Sequence, residues 1–520
     1  MCGQDSTKAF PLSLLQHKIR HMESEQATRR SVYWIATVAL IAVCGLALNP
    51  VKHAGDAYPH NYHGSLTSWF ALMSENMEQN GFVSSRFLAP INPNPAGVND
   101  QRLYITHPSL DVVVRAGLIR LLGNAEWVNR LQGLVGCFGA ALLLFISLQG
   151  RLSRPSRIVA ALAMAGMPIF QRLTSLSMHH PMTLLFSTAA LCAYLRGQEK
   201  RSTRSIALMF CLLLLAMHND WPGYFMVAVI WTIEVTRLKN ADRRLIVGLP
   251  LLTAASIALL LIHVNVIGGQ DFFTALRASA QSPLPPLTGG TALSLSWSHQ
   301  VDAFGWIGIS MMLAAMVLCV GIKRLQNLRP LVFGLVLLGA FNFILFPMKA
   351  PREDFWGCYW LPLSGLSAGV VSEAVMMRLR FPPLLLVVLS ATLAVSSAVS
   401  LDWDERAQKS GTVHKEQSLV LLDLIPAADR GLFITNVPNR ELKIAMAYTR
   451  TSMLFDDVEP ASIKTLPERV NALFHELPRG RILFICDPAQ PAVIRLVNQY
   501  GTTYRDIPFI IDVTAFISSS

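Results

Sequence analysis

The stretch NPVKHAGDAYPHNYHGS, residues 49–65, gathers an aspartate, three histidines and two tyrosines directly after the apolar run Trp34–Asn49. A carboxylate placed there, Asp56, has the chemistry to take a proton from a hydroxyl as a general base. It could also join His53, His60 and His63 around a cation. That spacing matches no standard zinc pattern, and the loop does not read as one helix, so no metal and no cofactor are assigned. Taken alone, Asp56 reads first as a turn or cap residue. Asp100 and Arg102, later in the same loop, have the same two readings.

Three further motifs carry reactive or ligand-binding side chains. In YITHPSL, His107 precedes a proline that can start a helix, where its missing N–H has no partner to lose. His107 could bind a ligand or sit as a polar residue at an interface. MHNDWPGYF, residues 217–225, links two apolar runs with almost no loop; Asp220 reads there as a helix N-cap and Pro222 as a first-turn proline, a tight hairpin. PMKAPREDFWGCYWLPL, residues 347–363, combines Lys349 and Arg352 with Tyr359 and Trp360. It is either an aromatic belt at a membrane surface or a clamp for a phosphate, for which the forked donors of arginine are suited.

The elements that must hold these residues are apolar. Of 520 residues, 52% are hydrophobic and only 15% charged, against about one quarter charged in soluble domains. Runs at 33–49, 127–148, 157–173, 182–196, 205–218, 221–236, 245–266, 303–322, 330–347, 357–376 and 382–400 give about 11 transmembrane helices by length. The first follows Arg29 and Arg30 and precedes no small-residue cleavage site, which reads as an uncleaved anchor after a cytoplasmic segment, 1–30. With that start, the basic loops around Arg151–Arg157, Arg196–Arg204, Arg237–Arg244, Lys323–Arg329 and Arg378–Arg380 all fall on the inner side. The net charge of +11 is therefore topological, with no nucleic-acid partner indicated. The eight cysteines form no CxxC pair and lie mostly in apolar runs, as small apolar residues.

All nine histidines between residues 31 and 400, His179 and His180 among them, then lie at or near the outer face. Polar chemistry belongs to that side. The outer inventory is a long first loop, 50–126, a loop at 267–302 bracketed by Gly268–Gly269 and Gly289–Gly290, and a tail from 401. Within the first loop, HPSLDVVVRAGLIRLLGNAEW is too charged to cross; it reads as a helix lying flat on the outer surface, with Asp111 and Arg115 paired one turn apart. The 267–302 loop is either a lid or a solvated connection. In the tail, GLFITN, RILFICD and PFIIDVTAF read as strands, alternating with the helix-like RELKIAMAYTR and PAVIRLVNQYG. This predicts a small α/β domain at 401–520, outside, beyond a membrane domain at 31–400.

An acidic residue early in a long first outer loop, then HPSL, LLGNAEWVNRLQGLVG, HNDWPGYF and REDFWGCYWLPL in this order, resembles the GT-C superfamily of membrane glycosyltransferases. The similarity covers about residues 31–376 and is greatest to the group of dolichyl-phosphate-mannose–protein mannosyltransferases and lipid A aminoarabinose transferases. Pro108-Ser109 stands where that group has Pro-Pro, Arg130-Leu131-Gln132 where it has Arg-Leu-Pro, and Gly55-Asp56-Ala57 lacks the adjacent glutamate of the protein mannosyltransferases.

The resemblance implies an inverting transfer of a sugar from a polyprenyl-phosphate donor to an acceptor at the outer membrane surface, without metal. It makes Asp56 the general base. It puts Lys349 and Arg352 on the phosphate, His107 on substrate, and Tyr359 and Trp360 along the lipid or sugar. The acceptor, whether lipid, glycan or protein, is open. Location is a bacterial inner membrane with the site facing the periplasm, or the endoplasmic reticulum. Two other functions fit the composition: a transporter or lipid flippase, which calls for polar residues in mid-membrane and broken paired helices, and a non-catalytic membrane scaffold.

Overall fold

Apolar runs bounded by Pro, Gly and charged residues fold, in the computed structural model, into a helical bundle. It describes residues 51, 54, 62–91, 103–200, 202–237, 241–280, 289–346, 351, 354–377, 430–435, 481–485, 502–504 and 507–512. The helices are α1 (Tyr62–Asn80), α2 (Leu110–Leu122), α3 (Glu126–Ser147), α4 (Arg154–Ala165), α5 (Pro168–Thr174), α6 (His180–Lys200), α7 (Thr203–Asn219), α8 (Pro222–Thr236), α9 (Arg243–Leu261), α10 (Phe272–Ala280), α11 (Gly289–Gly321), α12 (Arg329–Leu345) and α13 (Leu361–Met376). Among the described residues, four apolar stretches are long enough to cross a membrane: Glu126–Ser147, Arg243–Ile267, Gly289–Gly321 and Lys323–Leu345. Thr203–Asn219 and Pro222–Thr236 are shorter apolar helices. The expected spans at 33–49 and 382–400 lie outside the described residues.

The run expected as one span at 157–173 is two helices. Pro168 has no N–H to continue the ladder, so α4 ends at Ala165 and α5 starts afresh at Pro168. The 267–302 loop is largely helical: it holds α10 and the first part of α11, with 281–288 outside the described residues. α11 breaks at Gly305, whose φ of 64° and ψ of 166° are open only to glycine. α13 is buried on nearly all sides, which explains why its sequence has no polar face.

Contacts between helix ends sort the bundle into two poles. At one, Arg151 pairs with Glu199, Arg237 Nη1 donates to Gln198 Oε1 at 2.9 Å, and Glu234 accepts from Tyr194 Oη at 2.5 Å and from the Asp242 amide at 2.9 Å. Glu373 there accepts from the Ser153 amide at 3.0 Å and from Ser156 Oγ at 2.8 Å. The basic loops thus share one pole, as the charge pattern requires. His107, His179, Asp220 and Tyr359 meet at the other.

Strands form on the three tail segments read as such, β1 (Arg430–Thr435), β2 (Arg481–Ile485) and β4 (Ile507–Asp512), and a further short strand, β3 (Thr502–Tyr504), precedes the last of them. They make a four-stranded sheet in the order β1-β2-β4-β3, with β1 parallel to β2 and the other pairs antiparallel. The helix-like segments between them lie outside the described residues.

Candidate functional site

The site is built on the α7–α8 hairpin. α7 ends at Asn219, and Asp220 turns to an extended conformation with its amide still on the Ala216 carbonyl, 3.0 Å away. Pro222 then opens α8, and the Gly223 amide closes the turn on the Asp220 carbonyl at 3.0 Å. Gly223 has to be glycine: a Cβ there would lie 2.3 Å from the Ala216 carbonyl carbon. Asp220 is therefore the pivot between two antiparallel helices, with Trp221 as the residue that leads into α8.

The neighbours of Asp220 in sequence carry the hairpin to two other segments. Asn219 Nδ2 donates to the His179 carbonyl and to Thr183 Oγ1, both at 2.7 Å. Trp221 Nε1 donates to the Thr106 carbonyl at 2.9 Å. These bonds draw the head of α6 and the approach to α2 onto Asp220. Ser177 holds the same α6 approach against Thr67 of α1 and the Asn129 carbonyl of α3.

Four side chains converge on the Asp220 carboxylate, which is fully buried. His107 Nδ1 lies 3.0 Å from Oδ1. His179 Nε2 and His180 Nδ1 each lie 3.2 Å from Oδ2, and Tyr359 Oη is also 3.2 Å from Oδ2. The Trp221 amide adds a bond to Oδ1 at 2.8 Å, and Tyr359 Oη is 2.8 Å from His180 Nδ1. His107 is the one partly open member, stacked between Tyr104 and His179 with centroids 5.6 Å and 4.9 Å away. Burial works against ionisation of Asp220, but His179 and the hydrogen bonds from His107 and His180 hold its carboxyl well below the usual range. The Tyr359 hydroxyl donates to Asp220 Oδ2 from the head of the run that leads into α13.

A second polar group sits beside the first. α2 buries Asp111 and Arg115, 3.3 Å apart, and leaves Val114, Leu121 and Leu122 exposed. The expected charged face of this flat helix is thus turned inward. Arg115 also donates to Gln132 Oε1 at 2.9 Å, and Gln132 Nε2 returns to the Asp111 carbonyl at 3.0 Å. Gln132 is the residue that stands in place of the proline of the resembling group; its amide closes this ring. Burial outweighs Arg115 and raises the Asp111 carboxyl. Phe70 joins the two groups, edge-on to His179 at 5.1 Å and under the Arg115 guanidinium at 6.0 Å.

Of the residues singled out from sequence, His107 and Tyr359 come together at Asp220. Trp360 packs on α12, stacked on Phe343 at 5.4 Å with Nε1 donating to the Val336 carbonyl at 2.9 Å. Asp56, Asp100, Arg102, Lys349 and Arg352 lie outside the described residues. Ala54 is described, and its carbonyl accepts from the buried Arg130 Nη1 at 3.0 Å. Sequence reasoning took Asp220 for a cap and gave no site role to His179 or His180. Their signal was positional: adjacent histidines before a proline at the outer head of an apolar run.

No family model and no curated protein match the sequence. Solved structures match the fold. The crystal structure of ArnT from Cupriavidus metallidurans bound to undecaprenyl phosphate superposes with a TM-score of 0.61 at 11% identity, over 94% of this chain and 99% of that one. The apo form of the same protein gives 0.56 at 12% identity. The apo crystal structure of the Archaeoglobus fulgidus oligosaccharyltransferase gives 0.55 at 12% identity, over 88% of this chain and 69% of that one. The fold is therefore shared with these solved structures, over the region in which the motifs carry the resemblance.

Proposed function

We propose that this chain is a membrane glycosyltransferase that moves a sugar from a polyprenyl-phosphate donor to an acceptor at the outer membrane surface. The observation that carries the reading is the fold likeness, along almost the whole of both chains, to a transferase crystallised with undecaprenyl phosphate. The gathering of buried polar side chains at the pole opposite the basic loops supports it.

Asp56 is the general base in this reading. Its carboxylate takes the proton of the acceptor hydroxyl as that oxygen attacks the anomeric carbon. The bond from that carbon to the phosphate oxygen breaks, its electron pair leaves with the polyprenyl phosphate, and a single displacement inverts the centre. The leaving phosphate needs cations as its charge develops, and Lys349 and Arg352 are assigned to it. His107, the open member of the Asp220 group, is assigned to substrate. Residues 31–400 act as the catalytic membrane domain and 401–520 as an outer domain. The active site faces the periplasm of a bacterial inner membrane.

The test is donor consumption by purified protein over a panel of radiolabelled polyprenyl-phosphate sugars, beside an Asp56→Asn variant. The expected result is one donor consumed by wild type and a loss of about 10²–10⁴-fold in the variant, the span of general-base catalysis. Equal consumption by both removes Asp56 from the chemistry.

A further inference from the structure

The Asp220 group poses a question about protons. A buried carboxylate needs a counter-charge, and this one is held ionised. Among the described residues it meets no Lys or Arg; three imidazoles, the Tyr359 hydroxyl and the Trp221 amide surround it. The counter-charge is therefore an extra proton on His107, His179 or His180.

Two of these rings have no place for it. Tyr359 Oη donates to Asp220 Oδ2, so at 2.8 Å it accepts from His180 Nδ1. His180 Nε2 is buried without a partner, beside the Phe355 ring at 4.8 Å. His179 turns Nε2 towards Oδ2 at 3.2 Å, and its Nδ1 is likewise buried without a partner. A second proton on either ring would bury an unpaired N–H of a charged group, the costliest kind of unmade hydrogen bond. His107 differs. Its Nδ1 is 3.0 Å from Oδ1 and its side chain is 20% exposed, so the ring can hold its second proton on Nε2 at the open edge. Tyr104 and His179 stack on the ring and fix its plane. The other titratable groups that act on it are Asp220 and, from α2, Asp111, which is itself paired with Arg115.

We propose that His107 and Asp220 form a general-acid dyad, in which the His107 imidazolium gives its Nε2 proton to the departing polyprenyl phosphate and Asp220 is the positioning residue that holds Nδ1–H. The dyad rests on the transfer reading and adds to it the fate of a second proton. As the bond from the anomeric carbon breaks, its electron pair goes to the phosphate oxygen, and that oxygen takes the proton from Nε2. The acceptor's own proton is on Asp56. The lipid phosphate leaves as a monoanion, His107 is left as a neutral ring, and water carries the Asp56 proton back to it. A phosphate monoester takes up its second proton at about pH 6 and a free imidazole at about 6.5. Donor and acceptor are thus matched, as acid catalysis near neutral pH requires.

The experiment compares full-length wild type with His107→Gln, His107→Lys and Asp220→Asn in detergent. Turnover of the consumed donor is followed over about pH 5–9, beside nitrogen-15 spectra of labelled histidine. Gln keeps a hydrogen-bond donor and Lys keeps a charge, but neither readily passes a proton near neutral pH. The expected result is a fall in kcat of about 10²–10⁴-fold in both His107 variants, with KM changed far less. The alkaline limb of the wild-type profile should be absent from His107→Gln. In Asp220→Asn the His107 signals should show a neutral ring at a pH where wild type carries both protons. Wild-type turnover in His107→Lys overturns the dyad, because His107 would then act only as a charge. So does an alkaline limb that His107→Gln retains, or a wild-type His107 ring still neutral at about pH 5. If wild type consumes no donor, the transfer reading itself falls; a neutral His107 in an active enzyme removes the dyad alone.

Discussion

Asp220 and Asp111 are buried carboxylates with opposite surroundings. Asp220 is ringed by donors that stabilise its charge, whereas Asp111 depends on Arg115 as its charged partner. Removing one partner of a buried pair leaves the other charge uncompensated. Arg115→Met is expected to destabilise the protein by about 3–5 kcal/mol, and the double variant Asp111→Leu/Arg115→Met should recover most of that loss. Thermal unfolding in detergent measures both; equal losses in the single and double variants would contradict the argument. At the residue scale little of this was legible. His107 and Tyr359 stood out by type and position. The depth of Asp220 did not, because its partners are brought in from segments 40 to 139 positions away, and no local pattern encodes that meeting.

At the scale of elements, two tight features position the site and each makes a prediction. The α7–α8 hairpin needs the close approach of Gly223 to Ala216, so Gly223→Ala should lower the melting temperature and reduce donor turnover together. A variant with wild-type melting and turnover would show that the backbone can shift without cost. The second feature is α10, whose Phe272 packs against Trp221, next to Asp220. Asp271 caps α10 by accepting from Thr274 Oγ1 at 2.7 Å and from the Phe273 and Thr274 amides at 3.0 and 3.1 Å. The Thr274 hydroxyl and amide hold the Asp271 carboxyl below its ordinary value. A lowered folded pKa means that the cap contributes fully above the unfolded value, about 3.9, and that the contribution is lost as pH falls through the folded one. A spin label at Leu276→Cys should therefore report steady order down to about pH 5 and fraying below about pH 4. With Asp271→Asn added, the fraying step should vanish; an identical pH profile would count against the cap. Apolar length and charge placed most helices correctly from sequence. The break at Pro168 and the helices inside 267–302 were missed, since hydropathy averages over a proline and reads amphipathic segments as loops.

For the whole molecule, the fold was legible because its cause is distributed: long apolar runs set the helices and short basic loops set the pole to which each end belongs. The contacts of Arg151, Arg237 and Glu373 bear out that sorting. Chemistry was legible only as a side of the molecule, the side at which the described His107, His179 and His180 meet. The central claim is transfer from a polyprenyl-phosphate sugar at that pole. The most direct measurement is release of polyprenyl phosphate by protein reconstituted in sealed vesicles, with the donor supplied to one leaflet at a time and the orientation of the chain fixed by labelling. The account predicts turnover only when the donor head groups lie in the leaflet at the Asp220 pole. Turnover from the leaflet at the basic-loop pole, or none from either leaflet with any donor in the panel, would contradict it.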